Sequence, residues 1–335
     1  MSHPYTSMTD LVMLAESKHN VTSINQMSSE NFLKTFSYYT LINGYQKALE
    51  SPEGSEHFPD GFTIENLSLF QLNESLLASN ILWLVLSVEK KFKTLLQDEV
   101  SRNYGVLLPE YLSSKHYNNH GKLKKNGVIK QLRAIATGFY DLKATSPYTN
   151  DHPSNSTVKY RAEGNVPPWI LVNELTFGEA IKWFDIMDGH LRRNIASNFK
   201  IGIADSDKVI EFFSMALDLI RQYRNGLAHG DVINKITSTT ELNWIHIEEL
   251  FADSIISKSE FTIQNIGKSD LFALFMALSI LAPEMHQLYF KNDFNARIDG
   301  FNQLFDSDTS VTRRLLNLPN DFERRIDEML RLPGA

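Results

Sequence analysis

Between Phe62 and Val100, apolar residues recur at helical spacing over the longest periodic stretch of the chain: Leu69, Leu72, Leu76, Leu77, Ile81, Leu84, Val85, Val88, Phe92, Leu95 and Leu96. A 3.6-residue period held this long means an amphipathic helix whose stripe must bury against other helices. Other segments follow suit. Phe32, Phe36, Tyr39, Ile42 and Tyr45 share a helical face. Val128–Leu142 and Trp169–Met187 keep the period, the second entered through Pro167-Pro168, which a helix start tolerates. Asp205 to Asp207 offers N-cap residues to a strongly apolar pattern from Val209 to Leu219. Leu271–Ala282 is too short to span a bilayer and reads as a buried helix. Ser51–Gly61 and Ser146–Pro168 read as loops. After Asp231, Asn243–Glu248 and Phe261–Ile266 alternate and carry β-branched residues, which admits a small hairpin. The expected fold is mainly α: a helical bundle with additional helices and room for a C-terminal β-hairpin.

The chain has 335 residues and no cysteine, so disulfides, thiolate metal sites and a cysteine nucleophile are excluded. Met1 to Asp10 is polar, so no secretory leader is expected and the cytoplasm is the expected location. A phosphate-cradling glycine loop and a dinucleotide fingerprint are both missing, and no cofactor is expected. His116 and His120 stand four apart, but Asn118, Asn119 and Gly121 disfavour a helix there and no third ligand is near, so no metal site is expected. The net charge of −7 argues against a general nucleic-acid coat. It leaves room for a local site. Basic residues cluster at Lys90, Lys91 and Lys93, at Lys122, Lys124, Lys125, Lys130 and Arg133, and at Arg192 and Arg193. These are the candidate RNA-binding residues, although a charge cluster by itself is usually just a solvated face.

Chemistry concentrates in Arg221-Gln222-Tyr223-Arg224-Asn225-Gly226-Leu227-Ala228-His229-Gly230. Arginine is a permanent forked cation suited to a phosphate, and histidine exchanges protons near neutral pH. On a straight helix Arg224 and His229 diverge by roughly 140°. Either Gly226 or Gly230 ends or distorts the helix there, or two copies of the chain pool their residues about a two-fold axis. Asn225 is a poor helix-interior residue unless its amide holds something. The structural alternative pairs Arg224 with Asp218 or Asp231 and leaves His229 as a cation at a helix C-terminus.

Four segments in order resemble the Abi-like (AbiD/AbiF) abortive infection proteins, a branch of the HEPN ribonuclease superfamily. They are Tyr38-Tyr39-Thr40-Leu41-Ile42-Asn43-Gly44-Tyr45; Val88-Glu89 followed by Tyr104-Gly105; Pro167-Pro168-Trp169 with Glu174-Leu175-Thr176-Phe177-Gly178; and Arg224-Asn225-Gly226-Leu227-Ala228-His229. Two departures stand out. Leu227 and Gly230 replace a Cys and a second His that the family often carries, and Gln71-Leu72-Asn73-Glu74-Ser75-Leu76 lacks the basic end of the family's Phe-Asp-x-x-Leu-Arg element. The resemblance implies a tail or short helix over 1–28, an Abi-like HEPN helical domain over 29–232, and a helical extension over 233–335 packed on it.

It also implies a metal-independent endoribonuclease toxin of anti-phage defence. The RNA 2′-hydroxyl would attack, His229 would move protons, Arg224 would offset charge on the phosphorane, and Asn225 would orient. A homodimer or higher even oligomer is expected, with RNA as substrate and, in some family members, as a non-coding regulator; no membrane is involved. The rival readings are a helical module that binds RNA without cutting it and a protein-binding scaffold.

Overall fold

The computed structural model describes residues 5–140, 148, 151–304 and 309–330. The end of the Val128–Leu142 segment and part of the Ser146–Pro168 stretch lie outside the described residues. The first helices are α1 (Met8–His19), α2 (Gln26–Phe36), α3 (Gln46–Leu49), α4 (Ile64–Tyr104) and α5 (Leu108–Tyr111). Next come α6 (Lys125–Thr137), α7 (Asn155–Ala162), α8 (Pro168–Glu174), α9 (Phe177–Asp185), α10 (Gly189–Ser197) and α11 (Ser206–His229). The C-terminal third adds α12 (Trp244–Leu250), α13 (Lys258–Thr262), α14 (Leu271–Leu281), α15 (Glu284–Leu304), α16 (Thr309–Leu316) and α17 (Phe322–Met329).

The periodic stretch is α4, 41 residues long, or roughly 60 Å at 1.5 Å per residue. Thr63 starts it by accepting a hydrogen bond from the Asn66 N–H at 3.0 Å, and Gly105 ends it at positive φ. Its inner stripe, including Leu77, Ile81, Leu84, Val85, Val88, Phe92 and Leu96, is fully buried. Against α4 lie α2, α8, α10, α11 and α15. Among the described helices, α4 is the one long and apolar enough to cross a membrane by length and composition. Here its apolar stripe forms the centre of the bundle.

Behind α11 sits α14, apolar on every side, with Leu271 to Leu278 and Leu281 buried. This is the buried helix expected from its composition. The fold is mainly α, with no strand among the described residues beyond isolated bridges.

Four expectations are corrected. The helical face expected over Phe32–Tyr45 is interrupted: α2 ends at Phe36, Ser37 sits at φ 64°, and Tyr39–Asn43 forms a π-helical turn. Trp169–Met187, which keeps one period, is two helices, α8 and α9, parted at Leu175, because Thr176 caps a new helix start there. Neither segment of the expected hairpin is a strand: Asn243–Glu248 is the cap and body of α12, with Asn243 accepting from Ile245 N–H, and Phe261–Ile266 is the end of α13, whose capping box is Ser257 and Glu260, followed by turns. The box was a start signal that outweighs the short alternation. The Ser146–Pro168 stretch likewise contains α7, started by Ser154, whose hydroxyl accepts from Thr157 N–H.

Candidate active site

Asp205 starts α11 by accepting from the N–H groups of Asp207 and Lys208, and Phe212, Phe213, Ala216, Leu217, Ile220 and Tyr223 bury its inner face. The helix runs unbroken to His229. Gly230, at φ 75°, then ends it with an N–H···O bond to Leu227. Gly226 does not break the helix: a Cβ there would lie 2.8 Å from Ile236 Cγ1, so the glycine admits the returning chain. Neither glycine folds His229 back beside Arg224. Within one chain the two side chains stay on diverging sides.

Arg224 points toward α4. Its Nε lies 3.5 Å from Glu89 Oε2, an ion-pair separation, but neither atom makes a hydrogen bond. Glu89 is held from its other oxygen, which pairs with Lys93 Nζ at 2.8 Å; that ammonium also donates to the Leu175 carbonyl at 2.6 Å. The carboxylate therefore places the guanidinium while leaving its forked donors uncommitted to any described residue. Asp218, an alternative partner from the sequence, is occupied instead by Arg221 at 2.7 Å, Gln222 and Thr240.

Arg224 and the exposed Asn225 line a cavity of about 570 Å³ walled by Thr176, Phe177, Lys182, Asp185 and Arg221. Gly178 lies in this wall, where a Cβ would sit 3.2 Å from Arg221 Cδ. On the other side of the Glu89–Arg224 pair a second hollow of about 540 Å³ is lined by Glu89, Lys90, Lys93, Thr94, Gln97 and the half-exposed Trp169. His229 is exposed and lines neither space.

Two carboxyls flank the motif, Glu74 buried and Asp185 partly so. Burial pushes Asp185 up to about 6, with Asp218 adding to the rise and Arg192 opposing it. Burial pushes Glu74 up to about 7, although the Tyr45 hydroxyl and the Ile233 N–H, at 3.1 Å, both donate to it.

The basic residues are divided in their roles. Lys90 is exposed beside Trp169. Lys91 lies 4.2 Å over the Phe199 ring, and its ammonium is held below the usual lysine range chiefly by burial. Lys122 and Lys124 are exposed, and Lys130 reaches over Tyr140. Lys125 and Arg133 are turned inward. Lys125 donates to the carbonyls of Ser114 and Tyr117, and Arg133 to that of Leu112. Arg193 pairs with Asp207 at 3.1 Å, whereas Arg192 lies half-buried near Asp185 with its Nε unpartnered. His116 stacks on Tyr104, and His120 pairs by backbone with Leu123.

The decisive comparison is with sequence families. The family model described as Abi-like protein matches residues 31–234. This chain belongs to the Abi-like protein family. No curated protein and no solved structure matches it.

The segments that carry the family likeness pack against α4 and against the chain just beyond α11 in this Abi-like protein. Tyr39–Asn43 forms a π-helical turn; Gly44 then abuts Thr40 and Val232, and Tyr45 reaches Glu74. Glu74 grips Ile233, just beyond the end of α11. Leu175 accepts from Lys93, Thr176 and Glu179 form the capping box of α9, and Phe177 packs edge-on against Phe92.

Sequence reasoning did not assign a role to Asp185 or Trp169, nor place Glu89 beside Arg224. The signal for Asp185 was an acidic residue inside Trp183-Phe184-Asp185-Ile186-Met187, where a carboxylate has no apolar business.

Proposed function

We propose that the chain is a metal-independent endoribonuclease of the HEPN type, acting as a toxin in abortive infection, and that its active site is shared between two copies. Family membership supports the setting. The observation that carries the chemistry is Arg224 held by the Glu89–Lys93 pair at the mouth of a cavity, with its donors uncommitted. Such a preset guanidinium suits charge that develops on a phosphorane. His229, exposed at the helix end, is the proton carrier for attack by the 2′-hydroxyl, which restricts the substrate to RNA. Cleavage would yield a 2′,3′-cyclic phosphate and a 5′-hydroxyl, with Asn225 orienting the phosphate.

The divergence of Arg224 and His229 along an unbroken helix favours assembly. So does the outer face of α4, where Leu69, Leu72, Leu76, Trp83 and Leu86 are exposed at spacings that keep them on one side. The neighbouring face of α4 reaches the end of α11, because Ala78, Leu82, Leu227 and Gly230 line one small hollow. A second copy seated there would bring its own α11 end to the first. Homodimerisation is isologous, so one contact completes two sites.

The test is complementation. Arg224→Ala and His229→Ala chains, each inactive alone, should regain RNA cleavage in chelator when mixed and re-associated, since the heterodimer keeps one Arg224–His229 pair intact. Mixtures that stay inactive, though shown to exchange subunits, would refute the shared site. RNA bound by the unmutated chain without products would instead mark a non-catalytic RNA-binding module.

A further inference from the structure

The hollow across the Glu89–Arg224 pair holds groups that the cleavage chemistry does not use. Its floor is α4, which contributes Lys90, Lys93, Thr94 and Gln97 at helical spacing, and α8 closes it with Trp169 and Asn173. Although α8 buries Leu171 and Val172, Trp169 stays 41% exposed. Trp183, by contrast, is fully buried and gives its N–H to the Tyr117 hydroxyl. Several polar groups of the hollow are already engaged. Lys93 pairs with Glu89 and donates to the Leu175 carbonyl, Thr94 donates to the Lys90 carbonyl, and Asn173 donates to that of Trp169. The Lys90 ammonium and the Gln97 amide are in no hydrogen bond or ion pair with a described residue.

A ligand matched to this set is flat for the indole, carries donors and acceptors at its edge for the amide, and is anionic for the ammonium. A fatty chain would leave the amide and the ammonium unused, and inorganic phosphate would leave the indole unused. A nucleotide engages all three. The volume, about 540 Å³, falls in the range of roughly 300–1,000 Å³ that small-molecule sites occupy. Unstacked bases of single-stranded RNA are held in this way, on an aromatic face and by their edges.

We propose that this hollow is a base-stacking subsite: a purine of single-stranded RNA lies on Trp169, its edge meets the Gln97 amide and its phosphate meets Lys90. Stacking strength sets such preferences, and the wider purine ring covers more of the indole than a pyrimidine does. The strand's course rests on the RNA-cleavage reading. Glu89 lines this hollow and lies 3.5 Å from Arg224 Nε, so the stacked nucleotide neighbours the phosphate that Arg224 would hold. The subsite gives that reading a cause for sequence preference around the cut.

The test separates binding from cleavage. Three probes are titrated against the full-length His229→Ala chain, which leaves RNA intact: hexauridine, the same hexamer with one central adenosine, and adenosine 5′-monophosphate. The adenosine-bearing hexamer should bind about fivefold tighter than hexauridine and quench indole emission. Trp169→Ala should make the two hexamers equal. Trp169→Phe, which keeps an aromatic face, should retain the preference but lose the quenching, and it carries the test even if Trp169→Ala loses stability. Equal affinities with Trp169 intact, or a preference that survives Trp169→Ala, would overturn the subsite even where the unmutated chain cuts RNA. Adenosine 5′-monophosphate bound as tightly as the hexamer would overturn the strand and leave a free nucleotide as the ligand. A Trp169-dependent preference in a chain that cuts no RNA would keep the subsite and remove the nuclease.

Discussion

At the scale of single residues, Gly226 shows how a position in the motif can serve packing rather than chemistry. An exposed glycine inside a helix ordinarily costs about 1 kcal/mol relative to alanine, so Gly226→Ala would normally stabilise. Here the added methyl would meet Cγ1, Cγ2 and Cδ1 of Ile236, all within about 3 Å, with no free side-chain end to swing away. Overpacking of this kind costs roughly 1–3 kcal/mol, which outweighs the propensity gain. Gly226→Ala should lower the urea midpoint of the parent, and it should cost little or nothing in an Ile236→Ala background, where the methyl has room. If the single variant unfolds later than the parent, the close approach is not what requires glycine. Glu89 makes a different demand. Glu89→Gln keeps the shape but removes the charge that places Arg224, so turnover should fall about 10- to 100-fold while RNA affinity changes little. A matched fall in affinity would show that the guanidinium binds RNA without selectively stabilising the transition state.

At the scale of elements, α11 is held at its end by a buried acid. Glu74, on α4, accepts from Ile233 and Tyr45, and its carboxyl is raised from 4.5 to about 7 by burial. A folded-state value above the unfolded one means that the contribution is full below about pH 4.5 and is lost as pH rises through about 7. The span of about 2.5 units bounds the effect near 3 kcal/mol. Glu74→Gln retains an acceptor for Ile233 and, with the Tyr45 hydroxyl turned to accept from the amide NH2, keeps that contact without the titration. It should therefore raise stability at pH 8 relative to the parent and flatten the curve from pH 5 to 8, read by urea unfolding at each pH. A parent curve already flat over that range would rule the acid out as a lock on α11.

The one period over Trp169–Met187 hid the break at Leu175 between α8 and α9, but element types were legible where, as in α4 and α11, long periods come with marked caps. The α12 and α13 helices were not, since seven and five residues are too few for period to decide between helix and strand. The Arg224–His229 divergence followed from helix geometry alone, whereas Glu89 facing Arg224 is a contact between residues 135 positions apart that no local pattern encodes.

At the scale of the whole molecule, a ribonuclease of net charge −7, as proposed, would have to concentrate its attraction for RNA. The structure reduces the cations free to provide it. Lys93, Lys125 and Arg133 are committed to backbone carbonyls, so they hold the fold together. Lys122 and Lys124 remain exposed near the start of α6, and Lys90 remains exposed in the hollow with Trp169, across the Glu89–Arg224 pair from the cavity that Arg224 lines. The second location combines a cation, an open aromatic face and the site itself, the combination that binds single strands by stacking and charge. An RNA strand crossing Arg224 should thus pass over Trp169. Trp169→Ala should weaken single-stranded RNA binding by about 1–3 kcal/mol, the usual worth of a stacked base, with the salt slope unchanged. Lys90→Ala should instead reduce that slope by about 0.7, as loss of one phosphate contact does. Lys122→Ala/Lys124→Ala should leave both quantities as they were. If the Lys122/Lys124 pair flattens the slope by about 1.4 while Lys90 and Trp169 do nothing, the strand runs along α6 instead.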